Sequence, residues 1–433
     1  MKTKSLHRKS AGDSPSALSG QTRINAYSPS ESDRIPIARP WIDSNEEERV
    51  LAVLRSGWLV QGENIAQFER KMATEVGNEY GVAVSSGTTA LHLALIAAKV
   101  GVGDSVMIPS YSFVATANVI EQCGAHPVFI DIDLDTFTID PDKILKYIFS
   151  KRLMGDSRPK VIMPVSLFGH PVNVKRLTAI SREFRMAVIE DAACGLGSHT
   201  IADDDRSEFL ASCYSFHPRK VITTGEGGMI TTNDDLFAQT CRQLRDHGAV
   251  RDEESSPFLL PGFPQVGYNY RMTDMQGGMG VAQMDKLDAI LKERAEQARR
   301  YSSLLAVVSE VRPPSVAVGM THGWQAYVCL YTAGRADMKE VQRKEPELIE
   351  TLSQKRNQIM AFMEERGVSV RQGTHAIHTL EYYQKKYSLR ESDFPNAYMA
   401  DRLSIALPLF HGMTANQQKH VVAILQQAVE SVG

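Results

Sequence analysis

Short, continuously apolar runs alternate along the chain with stretches whose apolar residues recur at helical spacing. "YGVAVSSG" reads as a strand and "TTALHLALIAAKVG" as the helix after it; "DSVMIP" and "FVATANVIEQCG" repeat the pair. "HPVFIDID", "PKVIMPVS", "MAVIEDA" and "CYSFH" follow as further strands, with helical segments between most of them. Strands that are apolar throughout must be covered on both faces, so the alternation predicts an α/β unit with a mostly parallel sheet clothed by helices. Ahead of it, "DSNEEERVLAVLRSG" sets Ser44 three residues before Glu47, a capping box that predicts a helix start.

Further on, "MGVAQMDKLDAILKERAEQARRYSSLLAVV" carries Val281, Met284, Leu287 and Leu291 on one stripe and predicts one long connecting helix. "WQAYVCLYT" then reads as a strand, and the charged segment from Ala336 to Arg356 as a solvated helix or loop without assigned function. "QKRNQIMAFMEERG", "VSVRQ" and "ANQQKHVVAILQQAVESV" complete a smaller α+β unit. The expected organisation is a large α/β domain over 34–285, then a connector helix and small C-terminal α+β domain over 286–433. Residues 1–33 are rich in serine and basic residues and nearly free of large aliphatics, so they are read as a disordered leader. Organelle targeting is an alternative on composition alone; a secretory apolar segment is missing.

Bulk composition narrows the functions. A length of 433 residues agrees with two folding units. A net charge of −3 argues against an electrostatic binder of nucleic acid or membrane. The five cysteines are scattered, with no Cys-x-x-Cys pair, which predicts reduced thiols in the cytoplasm and no metal site. No apolar run approaches the roughly 18 residues of a membrane helix.

In a doubly wound sheet, ligands sit beyond the carboxyl ends of the strands. After the first strand comes Ser86-Gly87-Thr88-Thr89, opening a helix: either a cup of amides and hydroxyls for a phosphate or a plain N-cap. Asp191 ends "MAVIE", either as a functional carboxylate or as a turn residue. After "CYSF" comes "SFHPRKVITTGEGGM", which holds Lys220 between a proline and a glycine-rich turn expected to pack no core. A lysine amine rendered neutral by its surroundings condenses with an aldehyde as a Schiff base. Pyridoxal 5'-phosphate (PLP) requires such a lysine, an acid against its ring nitrogen, a phosphate cup and a flat group on the ring. Lys220, Asp191, the Ser86–Thr89 turn with Ser215, and Phe113 could supply these four in turn.

The constellation resembles the sugar-nucleotide aminotransferases, the DegT/StrS-type branch of the fold-type I PLP enzymes. The matching stretches are "SGWLVQG", "SSGTTALHLAL", "PSYSFVATANVI", "VIEDAACGLGS", "SFHPRKVITTGEGGMITTND", "GYNYRMTDMQGGMG" and "LPLF", in the family's order from about Ile35 to Ile424. The resemblance implies that Lys220 holds the cofactor and shuttles protons, and that Asp191 pairs with the pyridine nitrogen. It places Phe113 on the ring and Gly87, Thr88, Thr89 and Ser215 on the phosphate. Asn269 would complete the phosphate site of a partner subunit, making a homodimer with shared active sites. Arg271 would hold that loop or the substrate, or form a surface ion pair. Where many relatives carry glutamine facing the cofactor's phenolic oxygen this chain has Cys194, a poorer hydrogen-bond partner.

The implied reaction aminates a nucleotide-linked keto sugar, of the 6-deoxy type, with glutamate as donor, for surface polysaccharide, glycan or natural-product synthesis. Trp58, Gln61, His217, Tyr327 and His375 are the candidate sugar-pocket residues; His375 and His378 read equally as loop histidines without a ligand. The rival functions are a PLP-dependent sugar dehydratase and a non-catalytic regulatory homologue. Intact Lys220 and Asp191 and the lack of a cysteine cluster speak against both.

Overall fold

The computed structural model describes residues 34–154, 159–200, 206–250 and 259–432. The segment read as a leader, 1–33, lies outside them. Seven strands form the main sheet, in the order Tyr80–Val84, Gly228–Thr232, Ala211–Ser215, Ala187–Asp191, Val161–Ile162, Ser105–Pro109 and His126–Ile130. The pairings from Ala211–Ser215 through His126–Ile130 are all parallel. Gly228–Thr232 runs antiparallel to both of its neighbours. The residues of the expected strands are buried almost throughout, as a sheet covered on both faces requires. The antiparallel strand escaped the sequence reading because its residues, Gly-Met-Ile-Thr-Thr, carry little apolar signal.

One core packs the helices Gly87–Ala97, Ala115–Gln122 and Asp235–Arg245 on one face of the sheet, around Leu93, Leu95, Ile120 and Phe237. Another joins Phe68, Met72, Phe216 and Met229 to the helix Asp274–Asp285 on the other. A further core surrounds the three-stranded sheet of Val311–Arg312, Tyr327–Tyr331 and Ser404–Leu407, and it reaches back to Tyr111, Phe137 and Phe168.

Two expectations are corrected. The connector is two helices, Asp274–Asp285 and Leu287–Leu305. They meet at Lys286, whose buried ammonium donates to the Trp41 carbonyl and to Asp43 and Glu46, pinning the junction to the entry of the first helix, Ser44–Ser56. The charged segment is not merely solvated. It forms the helix Met338–Lys344 and opens the helix Pro346–Glu365, whose Ile349 and Leu352 are buried. Arg356 is buried as well and donates to the Ser404 carbonyl at 2.7 Å, a pairing that charge counting along the sequence does not reveal.

Candidate active site

The strand ends converge on one cavity of about 530 Å³. Asp191 closes the strand Ala187–Asp191, and its backbone is pinned on both sides, paired with Cys213 and with Val165. The residue is only 5% exposed. Thr116 donates to Oδ2 at 2.8 Å and the Ala193 amide to Oδ1 at 3.2 Å. Burial pushes the Asp191 carboxyl upward, opposed by the Thr116 bond, the Ala193 amide and the charge of Lys220. Among the described residues no cation pairs with it directly, so the site favours a positively charged hydrogen-bond donor arriving from the cavity.

Lys220 sits on the loop after the neighbouring strand Ala211–Ser215. The loop is firmer than the sequence suggests. Val221 and Ile222 are buried, and Thr223 donates to the Phe216 carbonyl at 2.8 Å. The Lys220 amide donates to the His217 carbonyl at 2.8 Å. Gly225 takes φ +79°, a turn that side chains resist. The Lys220 ammonium reaches the Cys194 sulfur at 3.2 Å.

The phosphate-cup candidates divide. Ser86, Gly87, Thr88 and Ser215 line the cavity at the start of the helix Gly87–Ala97. A Cβ on Gly87 would lie 2.7 Å from that of Ser215, so only glycine lets the helix start approach the strand end. The Thr89 hydroxyl, by contrast, is spent on the cap. It accepts from the Ser86 amide at 2.9 Å and donates to the Ser86 carbonyl at 2.8 Å. The Thr89 amide donates to the Ser86 hydroxyl at 3.1 Å, while the Gly87 and Thr88 amides, on residues that line the cavity, have no partner among the described residues and sit at the positive end of the helix dipole. Phe113 is 62% exposed and forms part of the wall.

Of the sugar-pocket candidates only His217 lines the cavity. Tyr327 is fully buried, hydrogen-bonded to Ser302 at 2.8 Å and packed on Trp324, so it belongs to the core instead. Trp58 is exposed and donates its indole N–H back to the Gln61 carbonyl at 3.0 Å; neither residue lines the cavity. His375 is exposed, paired along the backbone with Ser112, beside the lining segment Gln372–Thr374 but outside it. His378 is buried, 2.6 Å from the Ser110 hydroxyl, and burial pushes it down to about 4. Asn269 is exposed with its backbone paired to Asp246, outside this cavity, and Arg271 forms an ion pair with Asp246. The sequence reading missed Thr116, Arg219, Gln325 and Arg371. Thr116 was signalled only by its place just beyond Phe113, and Arg219 by its place beside Lys220.

A family model for the DegT/DnrJ/EryC1/StrS aminotransferase family matches residues 40–426. The chain belongs to this family. It is 34% identical to the GDP-perosamine synthase of Caulobacter vibrioides, over 92% of this chain and all of that one. It is 32% identical to the spore coat polysaccharide biosynthesis protein SpsC of Bacillus subtilis, over 92% of this chain and 97% of that one. Among solved structures, the PLP form of Spr1654 from Streptococcus pneumoniae is 25% identical with a TM-score of 0.80, covering 92% of this chain and all of that one. The fold is therefore that of the PLP-dependent aminotransferases, and PLP is the cofactor. The residues present fit it: a lysine amine and a buried carboxylate with no ion-pair partner among the described residues line one cavity, with a helix N-terminus beside them.

Proposed function

We propose that this aminotransferase converts a nucleotide-linked keto sugar, of the 6-deoxy type, to an amino sugar with glutamate as donor, in the cytoplasm. Its working form is a homodimer in which Asn269 reaches the partner's site. The observation that carries the reading is the meeting of Lys220 and Asp191 in one cavity from the ends of adjacent strands. The identity with a GDP-perosamine synthase and with a polysaccharide-biosynthesis protein supports a nucleotide-linked sugar as acceptor.

Bound PLP supplies an electron sink for the carbanion formed when the substrate carbon loses its proton. Lys220 Nζ is the group able to hold the cofactor and afterwards to carry a proton to and from that carbon. Thr116 and the Ala193 amide orient Asp191 and favour its ionised form, which would pair with the ring nitrogen. Ser86, Gly87, Thr88 and Ser215, which line the cavity, would receive the phosphate, and Phe113 would bound the ring. Cys194 stays within reach of the Lys220 amine.

The test is a two-stage reaction with the purified holoenzyme. Glutamate alone is expected to release 2-oxoglutarate and leave the pyridoxamine form, and a keto-sugar nucleotide then to return the pyridoxal form and gain nitrogen. Loss of water from the sugar without nitrogen gain, with the spectrum unmoved by glutamate, would establish a dehydratase instead.

A further inference from the structure

Among the described residues, three cations and two carboxylates line the catalytic cavity: Arg219, Lys220 and Arg371 against Asp191 and Glu226. This is a local positive excess in a chain of net charge −3. Lys220 and Asp191 have their tasks in the chemistry, and the charge of Glu226 acts on His217. The guanidinium groups of Arg219 and Arg371 have no task so far. Neither has an ion pair or a side-chain hydrogen bond among the described residues. Both residues line the same cavity, and there desolvation pulls Arg219 below its ordinary range and the positive charge of Arg371 pulls it further.

Both stand on firm backbone. The Arg219 carbonyl accepts from Gln325 Nε2 at 2.7 Å and its amide donates to His217 Nδ1 at 3.2 Å. The Arg371 amide and carbonyl pair with Ala406 of the strand Ser404–Leu407, at 3.3 and 2.6 Å. Like charges brought together on a fixed frame repel unless an anion lies between them. A guanidinium offers a planar fork of donors that fits a carboxylate or phosphate.

We propose that Arg219 and Arg371 form an oxyanion subsite on the wall of the catalytic cavity, separate from the phosphate cup. Oxyanions reach this cavity from two sources, the carboxylates of the amino donor and the diphosphate of the nucleotide sugar. The naming of these sources rests on the function proposed above; the subsite itself rests on two guanidinium groups that line one cavity and have no ion-pair partner among the described residues.

The test is calorimetric titration of the PLP-loaded enzyme with two probes that cannot turn over, glutarate and inorganic pyrophosphate. Arg219→Gln and Arg371→Gln are each expected to weaken at least one probe about tenfold, the loss of one charge-assisted contact. A loss confined to glutarate assigns the subsite to the donor carboxylate, and a loss confined to pyrophosphate assigns it to the diphosphate. Arg371→Lys keeps the charge without the fork and is expected to fall between wild type and Arg371→Gln. It also covers the case in which a glutamine variant loses PLP. Unchanged affinity for both probes in variants with full PLP content overturns the proposal, as does a wild-type enzyme that binds neither probe. An enzyme that binds glutarate through these arginines yet never converts glutamate leaves the subsite standing and removes the amination reading.

Discussion

Replacing Thr116 with valine removes one hydroxyl and keeps the branched shape. Its cost follows from the surroundings of Asp191. The residue is 5% exposed and its carboxylate accepts two bonds, at 2.8 Å from Thr116 and at 3.2 Å from the Ala193 amide. The stronger of the two disappears in the variant. A hydrogen bond to a buried ionised group contributes about 1.5–3 kcal/mol, and burial already pushes this carboxyl upward. Ser112, which shares the Thr116 hydroxyl at 2.9 Å, lines the cavity, so water can replace that contact. Asp191 must be ionised to meet a protonated ring nitrogen. The lost bond therefore appears as weaker PLP binding, roughly ten- to hundredfold. The assay is titration of the apoprotein with PLP, followed by absorbance and protein fluorescence, at several pH values. The deficit is expected to grow as pH falls, because a higher Asp191 pKa leaves more of the carboxyl protonated. Thr116→Ser is expected to recover most of the affinity. A valine variant that folds normally and binds PLP within twofold of wild type would refute the role given to Thr116.

Other consequences are equally open to measurement. Lys220→Ala is expected to bind PLP and lose all turnover, and borohydride treatment of wild type to fix the cofactor on Lys220; a label on another lysine counts against the assignment. Mixing Lys220→Ala subunits with inactive Asn269-substituted subunits is expected to restore part of the activity, and confirmed hybrids without recovery dismiss the shared site. Cys194→Gln provides a stronger hydrogen-bond donor and is expected to tighten PLP binding severalfold; an affinity equal to wild type would mean that Cys194 stands clear of the cofactor. His378 titrates near 4 in the fold against an ordinary value of 6.5, so the unfolded chain takes up a proton there first. Stability is then lost as pH falls through that window, by up to about 2 kcal/mol between pH 7 and 5. His378→Asn is expected to shrink the difference between urea unfolding at those two pH values, and an unaltered difference refutes the linkage.

What the sequence determined by itself was the periodic part of the molecule and the chemistry-bearing strand ends. Buried parallel strands are apolar along their whole length, and that pattern survives without neighbours; hence the strands ending at Asp191 and Ser215 were legible, and with them Lys220. Its motifs also carried the family, because a lysine beside a glycine-rich turn and an acid after an upstream strand must stand in a set order to hold one cofactor. The tertiary structure decided the rest. Tyr327 looked like a pocket residue and is core, since burial depends on what packs against a strand and not on the strand itself. The Thr89 hydroxyl closes its own helix cap, a local competition that composition does not reveal. Thr116 and Arg371 approach the site from a helix and from a loop residue bridged to Ala406, both distant in sequence, so no spacing could connect them to Asp191 or Arg219. Where a charge lies was written in the chain; which charges share a cavity, and which remain without a partner there, was settled only when the strands came together.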